Sequence, residues 1–186
     1  MVSDRDCVID AAFRAHAAEV CRLAFAVVRE QQAAEDVTQE TFARAYERFA
    51  TYDPGRPIMG WLHAIATHLA IDRVRHDRVR RWVGLGEPRL IMPRDATAAD
   101  GFAGIAERDA VARLLGVLPA RTCAMLVLRH AYGYDDRSIA DLVGTSPGNV
   151  RTQVSRAQQR LRSVLAQPRE PGGTAIADRR GHDGER

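Results

Sequence analysis

Three side chains stand where they could hold a metal ion. His68, Asp72 and His76 are spaced i, i+4, i+8, which puts them on one face of any helix that carries them. Imidazole and carboxylate are both zinc ligands, but one helix face presents them in a row, and no fourth ligand is evident. The spacing reads better as a polar helix face, and no metal is expected. Nucleophilic chemistry has no support either. The chain holds no HExxH and no phosphate-cradling glycine loop, and its serines have no evident His and acid partners. No catalytic residue and no cofactor is expected, and the chain is read as a non-enzyme. Cys7, Cys21 and Cys123 are odd in number and lack a CxxC, so they read as buried free thiols.

What remains is arginine. All 27 basic residues are arginine, and the net charge is +3 over 186 residues. The distribution says more than the sum. Glu30–Asp53 holds six acids and two arginines, whereas Arg73–Arg94 holds seven arginines and two acids. Such segregation fits two different partners, one of them polyanionic.

The most concentrated basic surface needs a helix to present it. Asp135–Leu165 predicts a short helix, a turn and a longer helix. Asp135 and Asp136 can cap the first, Ile139, Ala140, Leu142 and Val143 give it an apolar side, and Gly144 ends it. Ser146 and Pro147 suit the start of the second. Val150, Val154, Ala157, Leu161 and Val164 then recur as one buried stripe. Arg151, Thr152, Ser155, Arg156, Arg160 and Arg162 lie elsewhere, and Thr145–Leu165 contains no acid. This is a helix-turn-helix with a basic second helix, a shape that enters the major groove of DNA. An ordinary helical hairpin with a solvated basic face is the plainer alternative.

Upstream, helices are predicted over Asp10–Arg29, Ala34–Phe49 and Ile58–Arg81. Thr51–Pro57, with two prolines and a glycine, is a loop. Trp61 is either a core residue or a platform for stacking unpaired bases. Residues 82–104 lose helical periodicity and read as a linker, 105–118 and 121–132 regain it, and 166–186 read as a disordered tail. The expected fold is all-α: a domain at 10–81 and another at 105–165, joined by a flexible linker. No apolar run approaches the ~18 residues of a membrane span and no secretory signal opens the chain, so a cytoplasmic protein is expected.

Two blocks together carry a resemblance. The first is AEDVTQETFARAYERF followed by GWLHAIATHLAIDRVR; the second is LPARTCAMLVLRHAYGYDDRSIADLVGTSPGNVRTQVSRAQQRLRSVL. In this order, with a variable linker, they resemble the extracytoplasmic-function (ECF) group of bacterial RNA polymerase sigma factors across roughly residues 10–165. The resemblance implies that the 10–81 domain is region 2, binding core polymerase and the minus-ten promoter element. Asp36, Gln39, Glu40, Phe42 and Tyr46 match the motif that binds the clamp helices of the largest polymerase subunit. Tyr52, Asp53, Arg56, Trp61, His68, Arg73 and Arg75 fall where the family receives a flipped base and holds the melted strand. His68 replaces the usual asparagine, and Ile58 a frequent phenylalanine.

The second block matches region 4, which reads the minus-thirty-five element as duplex. Arg151, Thr152, Ser155 and Arg156 align with its contacting positions, while Gln153 replaces a commonly basic residue. The resemblance further implies an anti-sigma protein as partner, promoter DNA both duplex and melted, and no membrane. A helix-turn-helix regulator that does not bind core polymerase is the alternative; it accounts for residues 105–165 but not for the first block.

Overall fold

The computed structural model describes residues 4–83 and 105–166, and the linker and tail expected at 82–104 and 166–186 lie almost wholly outside them. Within the described residues there are seven α-helices and no strand: α1 (Asp4–Val28), α2 (Gln31–Glu47), α3 (Ile58–Trp82), α4 (Ile105–Leu115), α5 (Ala120–His130), α6 (Asp136–Val143) and α7 (Pro147–Ala166). A 3-10 turn at Phe49–Thr51 leads from α2 into the proline-bounded loop. Helix α1 starts at Asp4 rather than Asp10, with Asp4 and Asp6 favourably placed in its first turn. Helix α4 stops at Leu115 rather than Leu118. There Gly116 donates to Ala112 O and Arg113 O, and a Cβ on it would lie 2.9 Å from the latter.

Helices α1, α2 and α3 bury one stripe each against the other two. Val20, Leu23 and Val27 of α1 are fully buried, facing Ala34, Val37 and Ala45 of α2 and Leu62, Ala66 and Leu69 of α3. Each large aliphatic side chain buried in this way stabilises the fold by roughly 1.5–3 kcal/mol. Helices α5, α6 and α7 form a second group around Met125, Leu128, Ile139, Val150 and Val154. The α6–α7 turn is built as the residue types require. Asp135 Oδ1 accepts from Ser138 N at 2.7 Å, Gly144 closes α6 at φ 66°, and Ser146 Oγ accepts from Asn149 N at 3.2 Å.

The two groups also pack on each other, which the sequence reading did not foresee. One apolar cluster runs from Leu23, Phe42 and Leu62 through Cys123, Met125 and Leu128 to Ile139 and Val150. Polar contacts cross the same joint. Arg29 Nη2 donates to Leu118 O at 2.8 Å, Cys123 Sγ to Ala26 O at 3.1 Å, and Tyr132 Oη to Glu19 O at 3.2 Å. His63 Nδ1 lies 3.0 Å from Tyr134 Oη, with the Tyr132 ring edge-on at 4.4 Å between centroids. Burial of the His63 imidazole, and then the charge of His16, lowers its pKa to about 4. The cysteines depart from expectation. Cys123 is buried and its pKa raised by that burial, Cys21 is half-buried, but Cys7 is exposed, because it faces away from the bundle near the start of α1.

Candidate nucleic-acid interface

The acidic face of α2 stands on an apolar base. Gln39, Glu40 and Tyr46 are exposed and Asp36 half-buried. Phe42 is different: it is 6% exposed and packs edge-to-face on Phe13, centroids 5.0 Å apart. The resemblance sets Phe42 in the clamp-binding motif, and its ring is part of the core. Tyr46 is held by α1: Arg5 donates to its Oη at 2.6 Å and lies over its ring, and that hydroxyl donates to Asp6 Oδ1 at 2.9 Å. Asp36 Oδ2 lies 3.5 Å from Arg73 Nη1, so Arg73, expected on phosphate, also ties α3 to α2. Arg73 meets Asp77 as well, at 3.4 Å.

Beyond α2 the loop orders itself. Asp53 Oδ1 accepts from Gly55 N at 2.9 Å, Asp53 Oδ2 lies 3.4 Å from Arg56 Nε, and Tyr52 Oη donates to Arg56 O at 3.3 Å. The Tyr52 ring leans on Trp61, centroids 5.2 Å apart and 31° between planes, and Phe49 backs Tyr52 at 5.9 Å. Trp61 is thus half-buried, with a supported face.

Beside it opens a recess of about 260 Å³, lined by Arg44, Arg48, Thr51, Trp61, Ala64, Ile65 and His68. His68 Nδ1 donates to Ala64 O at 2.8 Å, which leaves Nε2 of the neutral ring as an acceptor. The recess therefore combines an indole wall, an imidazole and two arginines, of which Arg44 also donates from Nε to Glu40 Oε1 at 2.8 Å, a set suited to an unpaired base and its phosphate. Arg44 and Arg48 escaped the sequence reading because they belong to the helix singled out for its acids. Their i, i+4 spacing, one and two turns beyond Glu40, was the available signal.

Helix α7 carries the second surface. Val150, Val154 and Ala157 are buried, while Arg151, Thr152, Ser155 and Arg156 are exposed together. Arg151 Nε lies 3.3 Å from Asp136 Oδ2, and Thr152 Oγ1 donates to Gly148 O at 3.0 Å. Asp135, at the start of α6, has its pKa lowered by the Ser138 backbone amide it accepts from. Arg121 donates to Val143 O and Gly144 O at 2.7 and 2.6 Å, tying the turn to α5.

Residues 12–80 match the family Sigma-70 region 2, and residues 108–161 match Sigma-70, region 4. The ECF RNA polymerase sigma factor SigL of Mycobacterium tuberculosis is 31% identical over 81% of this chain and 84% of its own length. The chain belongs to the ECF sigma factors. The ECF sigma factor SigE of Mycolicibacterium smegmatis is 34% identical over 84% of this chain, which spans only 61% of SigE's length. The fold is shared with the sigma factor RpoE of Bartonella quintana, crystallised with the anti-sigma factor NepR: TM-score 0.66, 20% identity, 84% of this chain and 95% of that one. In this sigma factor the region 2 match takes in α2, the recess and most of α1 and α3, and the region 4 match takes in the helix-turn-helix. Among the described residues no helix is long and apolar enough to cross a membrane.

Proposed function

We propose that this sigma factor binds core RNA polymerase, recognises promoter DNA through two readers and stabilises the opened strand, while the polymerase performs the chemistry. One observation carries this reading: a chain matching both sigma regions exposes an aromatic, arginine-lined recess in one and a basic major-groove helix in the other. Asp36, Gln39, Glu40 and Tyr46 offer two acids, an amide and a hydroxyl to the clamp helices, with Phe42 holding the face from beneath. Trp61, Arg44, Arg48 and His68 take a base displaced from the minus-ten element, and Arg75 meets phosphate. Release of counterions by such arginines makes the binding steeply salt-dependent. Arg151, Thr152, Ser155 and Arg156 read the minus-thirty-five duplex. The protein acts in the cytoplasm, and an anti-sigma protein is its partner, as the anti-sigma factor NepR is in the complex of the Bartonella sigma factor.

Size then dictates a movement. The two elements are centred about 25 base pairs apart, or on the order of 85 Å of duplex at 3.4 Å per pair. A packed chain of this length has a radius of gyration of about 16 Å and a diameter of about 40 Å. The joined halves cannot reach both elements, so engagement on polymerase parts them. Residues 83–104 have a contour of on the order of 75 Å, enough to follow.

Run-off transcription with core polymerase on a genomic promoter library tests the reading. Start sites should appear only with the chain present, and Asp36→Arg with Gln39→Ala should abolish both capture of core polymerase and transcription. Transcription that ignores the chain, or capture that ignores the double variant, would overturn it.

A further inference from the structure

Two adjacent aspartates open α6, and the structure gives them different work. Asp135 is spent on the cap, accepting from Ser138 N. Asp136 turns across the helix-turn-helix instead. Its Oδ1 faces Arg129 Nη2 from the last turn of α5, and its Oδ2 lies 3.3 Å from Arg151 Nε on α7. The Asp136 side chain is 19% exposed, whereas that of Arg151 is 75% exposed. A mostly buried carboxylate thus grips the root of a guanidinium whose far end projects toward solvent.

We propose that Asp136 is a positioning residue that holds Arg151 for reading a base in the minus-thirty-five duplex, with guanine the base selected. The proposal rests on α7 being the duplex reader. An arginine has five N–H donors in a fixed plane. With Nε occupied by Asp136, both terminal nitrogens remain, and they form the two-pronged donor that fits guanine O6 and N7. An exposed arginine loses considerable rotamer freedom when DNA fixes it. A carboxylate that fixes the plane beforehand removes part of that loss. A phosphate contact needs no such orientation, since phosphate offers acceptors over a wide arc; preorganising the plane is useful only where direction matters.

The negative charge itself needs an answer, because a lone carboxylate near phosphates repels them. Arg129 supplies it. With one arginine on each oxygen, the group of three stays net positive, and Asp136 can sit in a DNA-facing surface without weakening it. Arg129 is therefore a support for Asp136 and does not itself point at DNA in this arrangement.

The test uses the full chain on core polymerase, with a duplex library randomised across the upstream element and read by sequencing of bound DNA. Arg151→Ala should erase the preference at one base pair. Asp136→Asn should reduce that same preference roughly threefold to fivefold, the scale of a partly exposed ion pair, with little change in average affinity or salt slope. Asp136→Glu should restore part of it. Tyr132→Phe, which loses the bond to Glu19 O at the joint, should lower the melting temperature yet keep the preference, which separates positioning from mere stability. If Arg151→Ala erases a preference that Asp136→Asn leaves intact, Asp136 does not position Arg151. If Arg151→Ala weakens every sequence equally, Arg151 holds phosphate and the proposal fails while α7 remains the reader. If neither these nor Arg156→Ala alters upstream binding, the reading of α7 itself is lost.

Discussion

Acid should loosen the joint between the two halves, and His63 should be the cause. The imidazole is 1% exposed, covered by Tyr132 and Tyr134 from the helix-turn-helix half. Its Nδ1 lies 3.0 Å from Tyr134 Oη, and burial holds its pKa down to about 4. Once exposed, the ring titrates near its ordinary value of about 6.5. The packed form therefore binds fewer protons than the opened one. Stability present above pH 6.5 is lost as pH falls toward 4, by up to about 3 kcal/mol at about 1.4 kcal/mol per pH unit. The groups facing His63 adjust this figure. His16 opposes protonation, whereas the Glu19 carboxylate, 3.8 Å from Nε2, favours it and narrows the window. Urea denaturation at several pH values between 7 and 4.5 measures the effect, with His63→Gln as the control. Glutamine can still meet Tyr134 but does not titrate. The wild-type chain should lose stability relative to the variant as pH falls, with most of the divergence below pH 6.5. A constant difference across that range would refute the argument, since the ring would then titrate alike in both states.

Other expectations follow from the same geometry. Gly144→Ala forces a Cβ into the left-handed conformation at φ 66°, and should destabilise the chain by about 1–2 kcal/mol in thermal or chemical melts. Trp61→Ala removes the supported wall of the recess; affinity for single-stranded minus-ten DNA, measured with the chain on core polymerase, should fall by about 1–3 kcal/mol while duplex binding is spared. Arg156→Ala should cost about 1–3 kcal/mol and shift promoter preference if it reads a base, but weaken all promoters alike and reduce the salt slope if it holds phosphate.

Much of the scaffold was legible because local rules and packing agree. The α7 stripe Val150, Val154, Ala157 and the Asp135–Gly144–Ser146 punctuation are each buried or bonded as their types require. The joint was not legible. His63, Cys123, Tyr132 and Tyr134 each pass for ordinary interior residues of their own half, and nothing in local periodicity says that they face one another. The recess was half legible: Trp61 and His68 stood out by type, but Arg44 and Arg48 were hidden on an acidic helix. Phe42 is a case where motif and core overlap: the resemblance sets it in the clamp-binding motif, while its ring is buried edge-to-face against Phe13.

The proposed parting of the halves on polymerase requires a weak joint, and Arg29 lets one of its components be measured. This residue ends α1 at φ 64°, a left-handed conformation that disfavours any side chain but glycine by about 1–2 kcal/mol. Its guanidinium nevertheless spans the joint to Leu118 O at 2.8 Å and lies beside the Cys123 thiol. Two variants separate the effects. Arg29→Ala keeps the backbone strain and loses the crossing bond. Arg29→Gly loses the same bond but relieves the strain. The alanine variant should therefore be less stable than the glycine variant by about 1 kcal/mol, from the backbone alone. The crossing bond, which involves a charged donor, is worth about 1.5–3 kcal/mol. If it outweighs the strain, the glycine variant is also less stable than wild type, and its halves part more readily on core polymerase. Capture of core polymerase by Arg29→Gly should then be tighter than by the wild-type chain although the fold is weaker. Weaker capture, or capture that follows overall stability, would mean that opening the joint does not limit binding.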